Sequence, residues 1–352
     1  MSRLFLVALV SLVTGVAGSA GALQLTVEQS FPLNGAPGDA EDIAVIYDGA
    51  NAGIYIPHDS QGLVTVLDVN TGAFLYNFSF NFGTFPHTEF RAMDVLPNGN
   101  LIIGQHDVNY VREFVIPGNP GDGSVPIATP GTINFALPNH PDHPDLNQAF
   151  DEFEAITAFA RPSDGQVFLL IGEEGRTPTG QSTEAPGEVY LAQVSGSGIT
   201  GFTKLFDVPL ADNFDDLSGL DVINMVFDGA GNIDLANSTV IMTDDSSGSD
   251  SSAFVLNLLG QILESLDGPG AGITANFESE FGQPWRDAEG VDYDAATGKI
   301  TVFFSDGASG TPAIVRFDSV LEAPPAPEPA LLGLLGAGLG ALALRRARSS
   351  RL

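Results

Sequence analysis

Five acidic residues recur at one place in a repeating pattern. Asp59, Asp107, Glu174, Asp245 and Asp306 each end a short apolar run: GIYIPHD, LIIGQHD, VFLLIGEE, TVIMTDD and KITVFFSD. A second matched set stands at position two of a recurring hexapeptide and comprises Glu41, Arg91, Glu154, Ser218 and Glu289. Carboxylates gathered at one spot repel one another and raise their own pKa values unless a cation sits among them. Several hard oxygen ligands suit calcium, which takes about 6–8 of them in irregular geometry. The candidate metal ligands are therefore Asp59, Asp107, Glu174, Asp245, Asp306, Glu41, Glu154 and Glu289, and calcium is the expected cofactor. The same acids could instead cap turns by accepting bonds from nearby backbone N–H groups.

Other chemistry is thinly represented. His58 and His106 precede two of the repeat acids and share their setting. His140 and His143 lie with Asp142 and Asp145 in a proline-rich loop that reads as solvated, since further ligand spacing is missing. The stretch Asp228–Asp234, DGAGNID, departs from a calcium loop at Ala230 and Ile233 and reads as a turn. No nucleophile elbow, phosphate loop or cysteine nucleophile occurs, so the catalytic residues stay unassigned. Phosphate sites use cationic clamps. Only Arg91, Arg176 and Arg286 stand near the candidate mouth, which speaks against a polyphosphate substrate.

The elements that must position these residues also repeat. Hexapeptides begin at Ala40 (AEDIAV), Phe90 (FRAMDV), Phe153 (FEAITA), Leu217 (LSGLDV) and Ala288 (AEGVDY). Each opens a strand whose third residue is small in most copies, as a strand crowded against a central axis requires. The run ending in acid is the second strand. A third follows near Val64, Tyr110, Glu188, Ala253 and Ala313, and four copies add a fourth, around 74–80, 132–137, 202–208 and 262–266. The fifth copy lacks one, and the strand-like segment Leu23–Phe31 can supply it, closing the ring without a long exposed edge. Four-stranded repeats closed radially make an all-β propeller. Five blades are expected, or six if residues 117–150 or 267–285 hide another; a Greek-key sandwich is the rival fold. In antiparallel blades the start of the first strand meets the end of the second, so both matched sets reach one mouth.

The segments DLSGLDV (216–222), IMTDD (241–245) and DAEGVDY (287–293) resemble the SdiA-regulated and phytase-like propeller families, and the likeness extends over most of the body. That resemblance implies a propeller, and by analogy a calcium-dependent hydrolase of phosphoesters or lactones as the alternative to a binding or structural module.

The two ends carry addresses. Arg3, an apolar run from Leu4 to Val16 and the small residues Ala20-Gly21-Ala22 make a signal peptide over 1–22. The body, 23–322, is followed by a proline-rich linker, 323–329. An uncharged segment, Leu331–Leu344, then precedes Arg345, Arg346, Arg348 and Arg351, which act as a membrane stop. Pro327-Glu328-Pro329, an apolar helix and terminal arginines, in that order, resemble the PEP-CTERM sorting signal over 326–352, with the sorting segment itself at 330–352. The resemblance implies Sec-type export and an exosortase as partners, transient anchoring in the inner membrane, and delivery to the cell surface or beyond, with extracellular polysaccharide as a further partner. All 44 acidic residues lie between Glu28 and Glu328, against 13 basic residues of which five sit in the tails. Such a surface repels nucleic acid and anionic headgroups, leaving the tail as the membrane contact. With no cysteine, stability must come from the core or from bound ions.

Overall fold

Short β-branched and aromatic runs broken by Gly, Asn and Asp produce strands almost throughout. The computed structural model describes residues 21–33, 40–58, 62–80, 90–105, 110–138, 153–173, 186–208, 217–244, 251–266, 277–283, 285–306 and 311–320. The expected leader up to residue 20, the linker and sorting tail, His106, the 140–143 loop, Arg176 and four of the matched acids (Asp59, Asp107, Glu174 and Asp245) lie outside them.

The described chain opens with β1 (Gly21–Ala22) and β2 (Gln24–Pro32). The first repeat then supplies β3 (Ala44–Ile46), β4 (Gly53–His58), β5 (Leu63–Leu67) and β6 (Phe74–Phe80). The second supplies β7 (Phe90–Val95), β8 (Leu101–Gln105), β9 (Tyr110–Val115) and β10 (Ile127–Ala136). The third gives β11 (Phe153–Ala160), β12 (Val167–Glu173), β13 (Glu188–Ser195) and β14 (Gly198–Asp207). The fourth gives β15 (Leu217–Asn224), β16 (Thr239–Asp244), β17 (Ser252–Asn257) and β18 (Ile262–Ser265). A short helix, α1 (Phe277–Phe281), precedes β19 (Arg286–Asp294), β20 (Lys299–Asp306) and β21 (Ala313–Val320). The described parts of 117–150 and 267–285 thus hold β10, α1 and connecting turns, with no extra sheet among them.

Each repeat is an antiparallel meander. The first two repeats are joined where β6 and β10 run parallel, at Ser79 beside Ile127 and Phe80 beside Ala128. β1 adds a parallel fifth strand to the fourth repeat, outside β18. The innermost strands β3, β7, β11, β15 and β19 pack against one another in that cyclic order, with β19 returning to β3. The body is therefore all-β, with propeller-like sheets radiating from one axis.

The last sheet runs β19-β20-β21-β2, so the N-terminal segment supplies its outer strand as expected. Leu33 N–H donates to Pro312 O at 2.8 Å, and Lys299 pairs with Glu28 on the strand itself. Arg316, buried on β21, donates from Nη2 to Val69 O at 2.6 Å and lies over the rings of Phe31 and Tyr47. One cation thus ties the closing strand, the last repeat and the first.

The core lies between neighbouring sheets. Ile43, Val45, Ile54 and Ile56 of the first repeat meet Phe303, Ile314 and the closing strand's Phe31. Burial of this kind yields about 25 cal/mol per Å² of apolar surface, the main stabilising term in a cysteine-free chain. Near the axis the expected small residues are needed. A Cβ on Gly290 would stand 2.5 Å from Asp42 Oδ1, and one on Gly219 would stand 2.2 Å from Thr243 Oγ1.

Candidate functional site

Every innermost strand begins with an irregularity at the same place. Pairing slips by one residue between Phe90 and Ala92, Phe153 and Ala155, Leu217 and Gly219, and Ala288 and Gly290. In the first repeat the same slip separates the Ala40–His58 bridge from the Ala44–Tyr55 pair. The extra residue in four repeats is Arg91, Glu154, Ser218 or Glu289, and Glu41 falls within the first repeat's slip. A β-bulge leaves one residue unpaired, bends the strand and re-aims its side chain. The matched first-strand set is thus the set of bulged residues, all at one end of the axis.

Two of their interactions cross between repeats, and a third stays within the last one. Arg91 Nη1 donates to Glu154 Oε1 at 2.6 Å, with the glutamate buried and the arginine partly open. Ser218 Oγ donates to Ala288 O at 2.6 Å. Glu289 accepts from Ser305 Oγ at 2.8 Å. Burial raises the Glu289 carboxyl well above the usual range, and Glu41, Glu154 and Asp287 add repulsion. Asp287, two residues before the bulged Glu289, has φ of +51°, the one left-handed non-glycine backbone among the described residues. Such strain persists where surrounding contacts over-determine it, often at functional sites.

The second-strand ends meet these bulges as the antiparallel argument requires. Described there are His58, Gln105, Glu173, Asp244 and Asp306, and all but Asp306 are buried. His58 Nε2 bonds Thr65 Oγ1 at 2.7 Å, which places it in the first sheet's polar interior. Asp306 pairs with Arg286 across the ladder, and Arg286 grips Glu278 of α1 with bonds of 2.9 and 3.2 Å. Glu173 and Asp244 are acids that the repeat pattern passes over in favour of the next residue. The doublets Glu173-Glu174 and Asp244-Asp245 are the signal that could have found them. Among the described residues no three acids or histidines stand close enough to hold a metal ion.

Deeper along the axis lies a second ring of acids. Asp42 Oδ2 accepts Met93 N–H at 2.5 Å, joining the first repeat to the second. Asp94 accepts Ala158 N–H at 2.6 Å, joining the second to the third. Thr157 Oγ1 donates to Asp221 Oδ1 at 2.7 Å, joining the third to the fourth. Asp221 Oδ2 accepts Tyr293 N–H at 2.5 Å, and Asp292 Oδ2 accepts Val45 N–H at 2.8 Å, which closes the circle. The inner edge of an innermost strand has N–H groups with no ladder partner, and an unpaired buried N–H costs about 1–3 kcal/mol. Carboxylates from the neighbouring repeat supply the missing acceptors. Asp42, Asp94 and Asp221 each also accept the N–H of the next residue in their own strand. Burial raises all four carboxyls: Asp42, Asp94 and Asp292 well above the usual range, and Asp221 to about 6. Mutual repulsion adds to burial for Asp42, Asp94 and Asp292, while the backbone bonds oppose it.

The stretch 228–234 is a turn, as its sequence implies. Asp228 Oδ1 accepts from the N–H groups of Ala230 and Asn232, both at 2.8 Å.

No family model matches the chain, and no curated protein does. Solved structures similar to it include a PQQ-bound aldose sugar dehydrogenase from Streptomyces coelicolor, 9% identical over 86% of this chain and 100% of that one, with a TM-score of 0.43. Another is described as a putative gluconolactonase, 11% identical over 84% of this chain and 98% of that one, TM-score 0.42. A third is virginiamycin B lyase from Staphylococcus aureus, 12% identical over 84% of this chain and 100% of that one, TM-score 0.41. These likenesses are distant, and none carries a site residue over to this chain.

Proposed function

We propose that this chain is an exported five-bladed β-propeller acting as a binding module at or beyond the cell envelope, with calcium taken at its axial mouth. The observation that supports it most is the set of bulges. Five strand openings irregular at one position, presenting Glu41, Arg91, Glu154, Ser218 and Glu289 at one end of an axis, make a built surface rather than scattered charge. Sorting through Pro327-Glu328-Pro329 by an exosortase, with Arg345, Arg346 and Arg348 as the stop, belongs to the same reading.

A melt of the purified body in chelator, magnesium and millimolar calcium at fixed ionic strength tests the mouth. Extracellular calcium sites have dissociation constants on the order of 10⁻⁴ to 10⁻³ M. Calcium at about ten times that constant adds roughly 1.4 kcal/mol to the folded state. A calcium-specific rise that Asp107→Asn with Asp306→Asn abolishes is expected; equal melting in all three buffers rejects the site.

Hydrolysis of a phosphoester or lactone is the second reading, favoured by one observation. Glu289 is buried at the bulge with Ser305 Oγ donating to it at 2.8 Å, and burial raises its carboxyl, the state in which a carboxyl can serve as an acid. A panel of lactones and phosphoesters, run with calcium on parent and Glu289→Gln, decides between the readings.

A further inference from the structure

The strongest candidate outside the mouth is a groove of about 340 Å³ at the outer rim of the first two repeats, lined by Phe74, Tyr76, Asn77, Asn119, Ser124 and Val125 among others. It forms because the outer strands β6 and β10 run together only near Ser79 and Phe80, so the connection 116–126 arches over the open start of β6. Tyr76 hydroxyl donates to Pro117 O at 2.9 Å, and Ser79 N–H donates to Pro126 O at 3.0 Å, pinning both ends of the arch. Asn119 and Asp122 stiffen its tip by accepting Gly121 and Ser124 N–H, both at 2.9 Å. Gly121 and Gly123 have φ of +70° and +78°, which leaves backbone rather than side chain facing the groove.

Three properties decide what it takes. None of its lining residues is charged, in a chain with a formal charge of −31. An anion would be repelled by the whole molecule, and a cation would find carboxylates elsewhere. Apolar side chains concentrate here: Phe74 is 62% exposed and Val125 51%, with Leu75, Val115 and Ile127 exposed beside them. Isolated exposed residues mean little, but a grouped patch marks a binding surface. Polar groups are also set for orientation. Asn77 Oδ1 accepts Thr65 Oγ1 at 3.0 Å, which fixes the amide and leaves Nδ2 to donate. An open aromatic ring, an oriented amide and exposed turn backbone match a neutral sugar, whose C–H faces are apolar and whose hydroxyls donate and accept. The volume lies at the low end of the range for small-ligand sites, about 300–1,000 Å³.

We infer that this rim groove binds a short stretch of a neutral polysaccharide. It shares no residue with the axial mouth, and it relies on the export reading only for where the ligand is met. The test is affinity electrophoresis of the full chain in native gels containing dextran, a galactomannan, hydroxyethyl cellulose or the anionic polymer alginate. Retardation by at least one neutral polymer and none by alginate is expected. Phe74→Ala should weaken that retardation by roughly tenfold. Ser124→Trp, which fills the groove from an exposed turn, should abolish it, and neither change touches the core. Unretarded migration in all three neutral gels overturns the inference, as does retardation that survives both substitutions. Glu289→Gln and added chelator should leave retardation unchanged. If they remove it, the sugar belongs to the mouth and the groove is rejected.

Discussion

Two sets of acidic residues, four deep and three at the mouth, lie at or near the openings of the innermost strands and meet different partners. The deep ring (Asp42, Asp94, Asp221 and Asp292) is enclosed, and its carboxylates are saturated by backbone N–H groups of the next repeat. The mouth ring (Glu41, Glu154 and Glu289) sits on bulges and meets side chains, namely an arginine and a serine. Short aspartate reaches its neighbour's backbone and works as a staple between repeats. Longer glutamate on a bulged residue meets a side chain instead, Arg91 for Glu154 and Ser305 for Glu289. Side-chain length and local pairing thus separate carboxylates that bind backbone from those that bind side chains.

Substitution should cost most in the deep ring. Asp42→Ala removes the acceptor of Met93 and Ile43 N–H and leaves both buried. At about 1–3 kcal/mol for each unmet donor, a loss of roughly 2–6 kcal/mol is expected. Calorimetry should show a melting midpoint lower by on the order of 10 °C. A midpoint indistinguishable from the parent's would mean that the clasps are incidental.

A smaller effect should follow pH. Asp221 titrates near 6 in the fold against about 3.9 in the unfolded chain, so between those values the native state binds more protons. Stability from this group is full below about pH 4 and is lost as pH rises through 6. Asp42, Asp94 and Asp292 shift in the same direction and extend the loss upward. Exposed turn acids such as Asp68 and Asp228 are shifted down by their hydrogen bonds, and their contribution disappears in stronger acid. Melting midpoints should therefore peak near pH 4 and decline as pH rises toward neutrality. A midpoint that climbs steadily from about pH 5 to 8 contradicts this account.

The mouth should respond least. Glu289→Gln keeps a partner for Ser305 and removes repulsion from Glu41, Glu154 and Asp287, so near neutral pH without calcium the midpoint should stay level or rise slightly. A fall comparable to that of Asp42→Ala would erase the distinction between the rings.

Much of this architecture is legible in the sequence. Five hexapeptide openings predict five innermost strands, and the missing fourth strand of the last copy points to Leu23–Phe31, which forms β2. The bulged mouth residues can be picked out because repeats align by position. The deep ring cannot, although Asp94, Asp221 and Asp292 share position five of the hexapeptide. Asp42 stands at position three instead, and Thr157 replaces the acid in the third copy, so the column looks broken. Only the register between neighbouring inner strands shows that a shift of two residues lets Asp42 do the same task. The rim groove is hidden too, because the splaying of β6 from β10 is a tertiary event with no local signature.

The closing strand has a consequence for how the chain comes into being. Lys299 meets Glu28 across 271 positions, so the closing strand β2, near the front of the chain, waits for the last repeat. At about 5–20 residues per second that wait is on the order of tens of seconds. Until then the ring is an open arc with an uncovered strand edge at each end. If the leader is cut after Ala22, the bond lies one residue before β2, and the parallel strand β1 leaves with the leader. The protein's birth would then be timed by two events at its front end: a cleavage that frees the strand and the late arrival of the partner it completes.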